Sequence, residues 1–249
     1  MTQFSQNPSA RRCAVQLLHQ VLEKRHPLDA AFGSDPHIAR LSPQDRGFAM
    51  LLLKTTLRRL GQIDALIHQF LERQLPDTAQ TALHILRLGA AQLLFMDTPA
   101  YAVVNSFVEE SKTLGVHKFS GLINAVLKRI DNEGRAMLTA QDAARLNTPD
   151  WLWDSWVVTY GEENTRAMAA AHMEEPPLDI SVADDAKEWA QTLGGELLEG
   201  GTIRLKDAGN ITQLPGFDEG AWWVQDAAAA RRERRPRGPG GSLLAAQVV

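Results

Sequence analysis

Ala10-Arg11-Arg12-Cys13-Ala14-Val15-Gln16-Leu17-Leu18-His19-Gln20-Val21-Leu22 reads as an amphipathic helix, and the rest of the fold follows from it. Ala14, Leu17, Leu18, Val21 and Leu22 recur at the spacing of one helical face, while Arg11, Arg12, Gln16 and Glu23 fall on others. Ser9 stands where a hydroxyl can cap the first turn. Cys13, four residues before Leu17, belongs to the apolar side. It reads as a packing residue rather than a nucleophile, because a reactive thiol needs an exposed, electropositive setting.

The same period continues outward. Ser42-Pro43-Gln44-Asp45 supplies a capping hydroxyl, a proline at the first helical position and a first-turn acid, so it opens a helix through Phe48, Leu51 and Leu52 to a stop at Gly61. Ile63, Leu66, Ile67, Phe70 and Leu71 repeat the spacing, as do Leu83, Leu86, Ala90, Leu93 and Leu94. Thr98-Pro99 begins another helix ending at Gly115, and Leu122, Ile123, Val126, Leu127 and Ile130 form a further stripe. Asp150 can cap a helix bearing Trp153, Trp156, Val157 and Tyr160, closed by Gly161 and followed by another to Met173. Pro176-Pro177 then ends helical structure, since proline lacks the amide donor. Leu178, Ile180 and Val182 alternate with polar residues, as do Ile203 and Leu205, with a helix over Asp185–Leu193 between them. The chain is therefore expected to be mainly α: an all-α helical bundle followed by a small α/β domain.

Composition bounds the function. The 249 residues are 44% apolar, enough for a sizeable core. A single cysteine excludes an internal disulfide framework, and the polar N-terminus lacks an apolar leader, so a cytoplasmic protein is expected. No apolar run approaches the roughly 20 residues of a membrane span. The seven histidines form no close helical pair, so no metal site is expected. Gly238-Pro239-Gly240-Gly241-Ser242 is no phosphate loop, because an arginine run precedes it where a strand is required. The net charge of −4 hides an asymmetry: residues 1–130 carry 15 basic and 10 acidic groups, residues 131–230 carry 6 and 19, and residues from 231 carry 5 and 1. All six tryptophans lie beyond residue 150. Arg11, Arg12, Lys54, Arg58, Arg59, Lys118, Lys128 and Arg129 are the candidates for a face that attracts RNA phosphates.

Several segments carry a resemblance. The opening Ala10–Leu22, Asp45-Arg46-Gly47-Phe48 leading to Thr56-Leu57-Arg58-Arg59, the run Ile85–Phe95, Pro99–Asn105 and Gly121–Ile130 resemble the NusB-type RNA-binding fold. Pro149-Asp150-Trp151-Leu152, Tyr160-Gly161, Pro176-Pro177-Leu178 and Trp222-Trp223-Val224-Gln225-Asp226-Ala227-Ala228 resemble the Sun/RsmB family of ribosomal RNA small-subunit cytosine-C5 methyltransferases. The combination covers about residues 8 to 230. The resemblance implies a NusB-like RNA-binding domain over residues 1–145, a ferredoxin-like pre-catalytic domain over 146–220 and the start of a methyltransferase region over 221–230.

In that family a third, Rossmann-type domain binds S-adenosylmethionine. A cysteine thiolate adds to cytosine C6 so that C5 can accept the methyl group, and a second cysteine assists release. The family's Cys-Ala-Ala-Pro-Gly-Gly-Lys-Thr turn and its cysteine pair do not occur in this sequence. S-adenosylmethionine is therefore expected only for the full-length family enzyme, with no cofactor-binding or catalytic residue here. Asp179-Ile180-Ser181-Val182 also departs from the family's usual Arg-Val-Asn-like strand. The change at Ala230 into Arg231-Arg232-Glu233-Arg234-Arg235-Pro236-Arg237 reads as a disordered tail over 231–249, with out-of-frame coding sequence as its expected origin. The chain thus reads as a truncated, RNA-binding, inactive relative of an rRNA methyltransferase, with small-subunit rRNA as its expected partner. The alternatives are a NusB-like module in transcription antitermination and a remnant that binds a protein through the helical domain.

Overall fold

The computed structural model describes residues 9–206, 209 and 211–233. Of the disordered tail expected over 231–249, residues 231–233 instead end a helix, and residues 234–249 lie outside the described residues. Contacts divide the chain between Glu174 and Glu175 into two compact units.

The first unit is a helical bundle: α1 (Ala10–Leu22), α2 (Leu28–Ser34), α3 (Pro43–Arg58), α4 (Leu60–Phe70), α5 (Gln80–Phe95), α6 (Ala100–Thr113), α7 (Ser120–Thr139), α8 (Ala143–Leu146) and α9 (Asp150–Ala171). The caps read from sequence form: Ser9 Oγ accepts from the Arg12 amide at 3.4 Å and Ser42 Oγ from the Asp45 amide at 3.1 Å. Helix α5 is the axis. It is buried from His84 to Leu86 and from Leu88 to Leu94, on every face, and α1, α3, α4, α6 and α7 pack around it. A helix apolar all round needs such a sheath, and its amphipathic neighbours supply it.

The stop expected at Gly61 falls earlier. Arg59, at φ −114° and ψ 17°, separates α3 from α4, and Gly61 lies inside α4. What matters at Gly61 is its missing side chain: a Cβ there would sit 1.7 Å from the carbonyl oxygen of Leu146 in α8. Helix α8 in turn packs on α9, so the bundle takes in residues past the boundary placed at 145 from sequence. Helix α9 breaks at Gly161, where φ is 78° and ψ 163°. Arg145 and Arg166 each lie over the Trp153 ring, at 5.2 and 5.3 Å, and hold the two halves of α9 to α8.

The second unit contains β1 (Leu178–Val182), α10 (Ala186–Leu193), β2 (Glu196–Leu197), β3 (Ile203–Leu205), β4 (Trp222–Val224) and α11 (Ala227–Glu233). The antiparallel sheet has the order β2-β3-β1-β4, with Ile180 opposite Ile203 and Val224. That is the order of a split βαβ unit, with a short 3-10 turn at Ile211–Gln213 where the second helix would stand. Ile180, Val182, Ile203, Leu205 and Trp222 form its core with Ala190 of α10. Asp179 and Ser181 on the other face of β1 are buried as well. Asp179 meets Arg204 in two hydrogen bonds of 2.7 and 2.8 Å and also accepts from the Ala227 amide at the start of α11. Those Arg204 bonds hold its carboxyl below the ordinary value, so the departure seen in sequence at Asp179 is a structural anchor.

Candidate nucleic-acid interface

The eight candidate cations separate by what their charged groups already touch. Arg12, on the first turn of α1, donates from Nε to Glu110 Oε2 of α6 at 2.8 Å, and the two side chains are only 12% and 10% exposed. Arg11 donates from Nε to Gln92 Oε1 of α5 at 3.0 Å and lies over the Phe48 and Phe107 rings. Burial pulls its pKa down, against the opposing charge of Glu110. Because Gln92 must turn its oxygen toward Arg11, its Nε2 is left buried without a partner among the described residues. Both arginines are thus bound into the junction of α1, α5 and α6.

Other candidates are freer. Lys54 is exposed on α3, and Arg58 follows four residues later at intermediate exposure; neither has an ion pair or hydrogen bond among the described residues. Arg59 lies over the Phe95 ring at 5.2 Å and reaches the carbonyl oxygen of Met173 at 3.5 Å. Lys118 stands over its neighbour Phe119 at 5.0 Å. On α7, Lys128 is exposed, while Arg129 covers the Phe70 ring of α4 at 4.6 Å and pairs with Glu133 at 3.4 Å. Helix α7 packs on α4, so Arg129 joins those two elements; Lys54 and Arg58 belong to α3.

Two features escape a reading by sequence alone. A groove of about 560 Å³ runs between α1, the turn after α2 and the end of α6, with Gln16, His19, Gln20, His37 and Leu114 on its walls. Behind His19, with ring centres 5.7 Å apart, His84 is fully buried in α5. Arg87 lies 3.4 Å from its Nδ1, which must then be the acceptor, so the ring proton sits on Nε2. That nitrogen has no hydrogen-bond partner among the described residues, the Glu23 carboxylate being 3.8 Å away.

Burial, followed by the charge of Arg87, lowers the His84 pKa from 6.5 to about 3. The unfolded chain therefore takes up this proton first, and stability is lost as pH falls from 6.5 toward 3. Between pH 6.5 and about 4.5, above most carboxylate titrations, the urea midpoint of the native protein should fall more steeply than that of His84→Gln. Parallel slopes would contradict this account of His84.

Burial likewise raises the Cys13 thiol to about 11, which keeps it unreactive. Among the described residues no cluster of three or more His, Cys, Asp or Glu is placed to hold a metal ion, and no helix is long and apolar enough to cross a membrane. Among the described residues β1 passes to α10 through Ala183-Asp184-Asp185 and β4 to α11 through Gln225-Asp226, acidic connections without the glycines of a dinucleotide-type turn.

The chain is 31% identical over 240 residues to the probable ribosomal RNA small subunit methyltransferase B of Synechocystis sp., covering 89% of this chain and 54% of that protein. It is 28% identical over 232 residues to ribosomal RNA small subunit methyltransferase B of Cronobacter sakazakii, covering 88% and 53%. With the Xanthomonas campestris protein of the same name it shares 29% over 231 residues, covering 89% and 52%. The chain spans about half the length of these curated relatives. The crystal structure of PH0851 shares the fold with a TM-score of 0.54 at 15% identity, over 91% of this chain and 55% of that one. Residues 8–132, a stretch that takes in α1 to α6 and runs into α7, match the NusB family, and the chain belongs to that family.

Proposed function

We propose that this chain binds small-subunit ribosomal RNA and corresponds to the RNA-binding portion of an S-adenosylmethionine-dependent cytosine-C5 methyltransferase, without transferring a methyl group itself. The observation that carries the reading is the similarity to proteins named ribosomal RNA small subunit methyltransferase B, which runs through both units rather than the NusB region alone. The cations support it. Lys54, Arg58, Lys118 and Lys128 have charged groups in no ion pair among the described residues and are the phosphate contacts of this proposal. Arg59 and Arg129 contribute less, since Arg59 also reaches the Met173 carbonyl and Arg129 pairs with Glu133, and Arg11 and Arg12 act by holding α1 in place. The acidic strand-to-helix turns and the single, buried cysteine support the absence of methyl transfer.

Binding to a small-subunit rRNA fragment should weaken with salt. Each neutralised phosphate contributes about −0.7 to the slope of log affinity against log salt for a single strand, so the four contacts give roughly −3. Lys54→Ala and Lys128→Ala should each reduce the magnitude of that slope by about 0.7 with no change in thermal unfolding. Absence of binding at low salt would turn the reading toward a protein-binding bundle. Methyl transfer from labelled S-adenosylmethionine by this polypeptide alone would overturn the non-catalytic part.

A further inference from the structure

The helical unit leaves two stripes of identical spacing uncovered. On α9, Trp151 is 72% and Val158 88% exposed, with exposed Asp154 between them in no ion pair or hydrogen bond among the described residues. On α3, Leu51 is 47% exposed and is followed by the unpaired Lys54 and Arg58. Positions i, i+3 and i+7 lie along one line of a helix, so each set is a stripe: apolar, acid, apolar on α9 and apolar, cation, cation on α3.

Charge selects the occupant of the α9 stripe. Asp154, the unpaired acid of the stripe among the described residues, repels RNA phosphates and anionic lipid headgroups. Two copies joined α9 to α9 about a two-fold axis would bring Asp154 toward its own image. The α3 stripe has neither fault. It offers an apolar side chain for Trp151 and a cation three residues on, where α9 offers its acid.

We propose that the α9 stripe of one copy docks on the α3 stripe of a second copy, Leu51 packing against Trp151 and Lys54 pairing with Asp154. The contact joins different surfaces, so two reciprocal contacts close a dimer and a single one extends the assembly. Lys54 and Arg58 are also phosphate contacts in the proposed function, and if that reading holds, RNA and a second copy compete for α3.

Sedimentation of the full chain across a wide concentration range tests the docking without RNA. The native protein should associate reversibly. Lys54→Glu and Asp154→Lys should each weaken association at least about tenfold, since like charges then face one another. Mixing these two variants should restore it, because the new acid on α3 of one variant meets the new cation on α9 of the other. Both positions are exposed, so the melting curves should match the native one; Trp151→Ala should weaken association without any rescue by mixing. A native chain that stays monomeric at its highest soluble concentration, variants that associate as the native does, or a mixture that fails to recover would each overturn the proposal. Failure of RNA binding would remove only the competition and would leave the sedimentation result standing.

Discussion

Gly61→Ala should destabilise the helical unit by about 3 kcal/mol, the upper range for forcing an extra methyl into a packed site. The added Cβ would lie 1.7 Å from the Leu146 carbonyl oxygen and 2.5 Å from its carbon, and the obstacle is backbone rather than a side chain that can rotate away. Helix α8 must move off α4. The move also breaks a polar junction: the Gln62 amide donates to Asn147 Oδ1 at 3.1 Å, and Asn147 Nδ2 donates to Gln62 Oε1 at 2.9 Å. Urea unfolding of the variant should show a lower midpoint with an unchanged slope, because the same surface is exposed on unfolding. Gly89→Ala is the control: its Cβ would press first on the Leu127 side chain, Cδ2 at 2.7 Å and Cδ1 at 2.9 Å, rather than on backbone, so the loss should be smaller. Equal losses would show that the close approach of Leu146 is not what constrains residue 61.

The second large effect concerns Arg12 and Glu110. Glu110→Ala leaves the Arg12 guanidinium nearly enclosed and without its counter-charge, and breaking one side of such a pair costs about 3–5 kcal/mol. Arg12→Ala should cost a similar amount by stranding the carboxylate. Replacing both, as Arg12→Met with Glu110→Leu, should recover much of the loss, because two apolar side chains need no compensation in that site. The cycle also separates structure from recognition. With Arg12 engaged by Glu110, the double variant should bind small-subunit rRNA with nearly native salt dependence once folded. A slope reduced by about 0.7 would instead assign Arg12 a phosphate.

Local signals were legible, and distant commitments were not. Ser9 and Ser42 announced their helices because a cap and its apolar stripe lie within a few residues of each other. Gly61 misled because glycine carries two meanings, conformational freedom and absence of bulk, and only the position of Leu146, 85 residues on, tells which applies. The cations pose the same problem. Sequence identifies Arg12 and Lys54 as equally charged, yet one faces Glu110 across 98 residues and the other faces solvent. His84 looks like any histidine on an amphipathic helix; its buried neutrality follows from α5 being covered on all sides, a property of five neighbouring helices. In the second unit, the alternation of Leu178, Ile180 and Val182 placed β1 but gave no sign that Asp179, on its other face, holds Arg204 and the start of α11.

The placement of the tryptophans has an optical consequence. The six indoles stand at 151, 153, 156, 189, 222 and 223, and the bundle from α1 to α7 has none. Emission excited at the red edge of the absorption band therefore reports on α9 and on α10 and β4 of the second unit, while circular dichroism is dominated by the helices before them. A melting curve followed by fluorescence and one followed by ellipticity weight different parts of this molecule, and their agreement or divergence measures whether α9 and the second unit unfold together with α1 to α7.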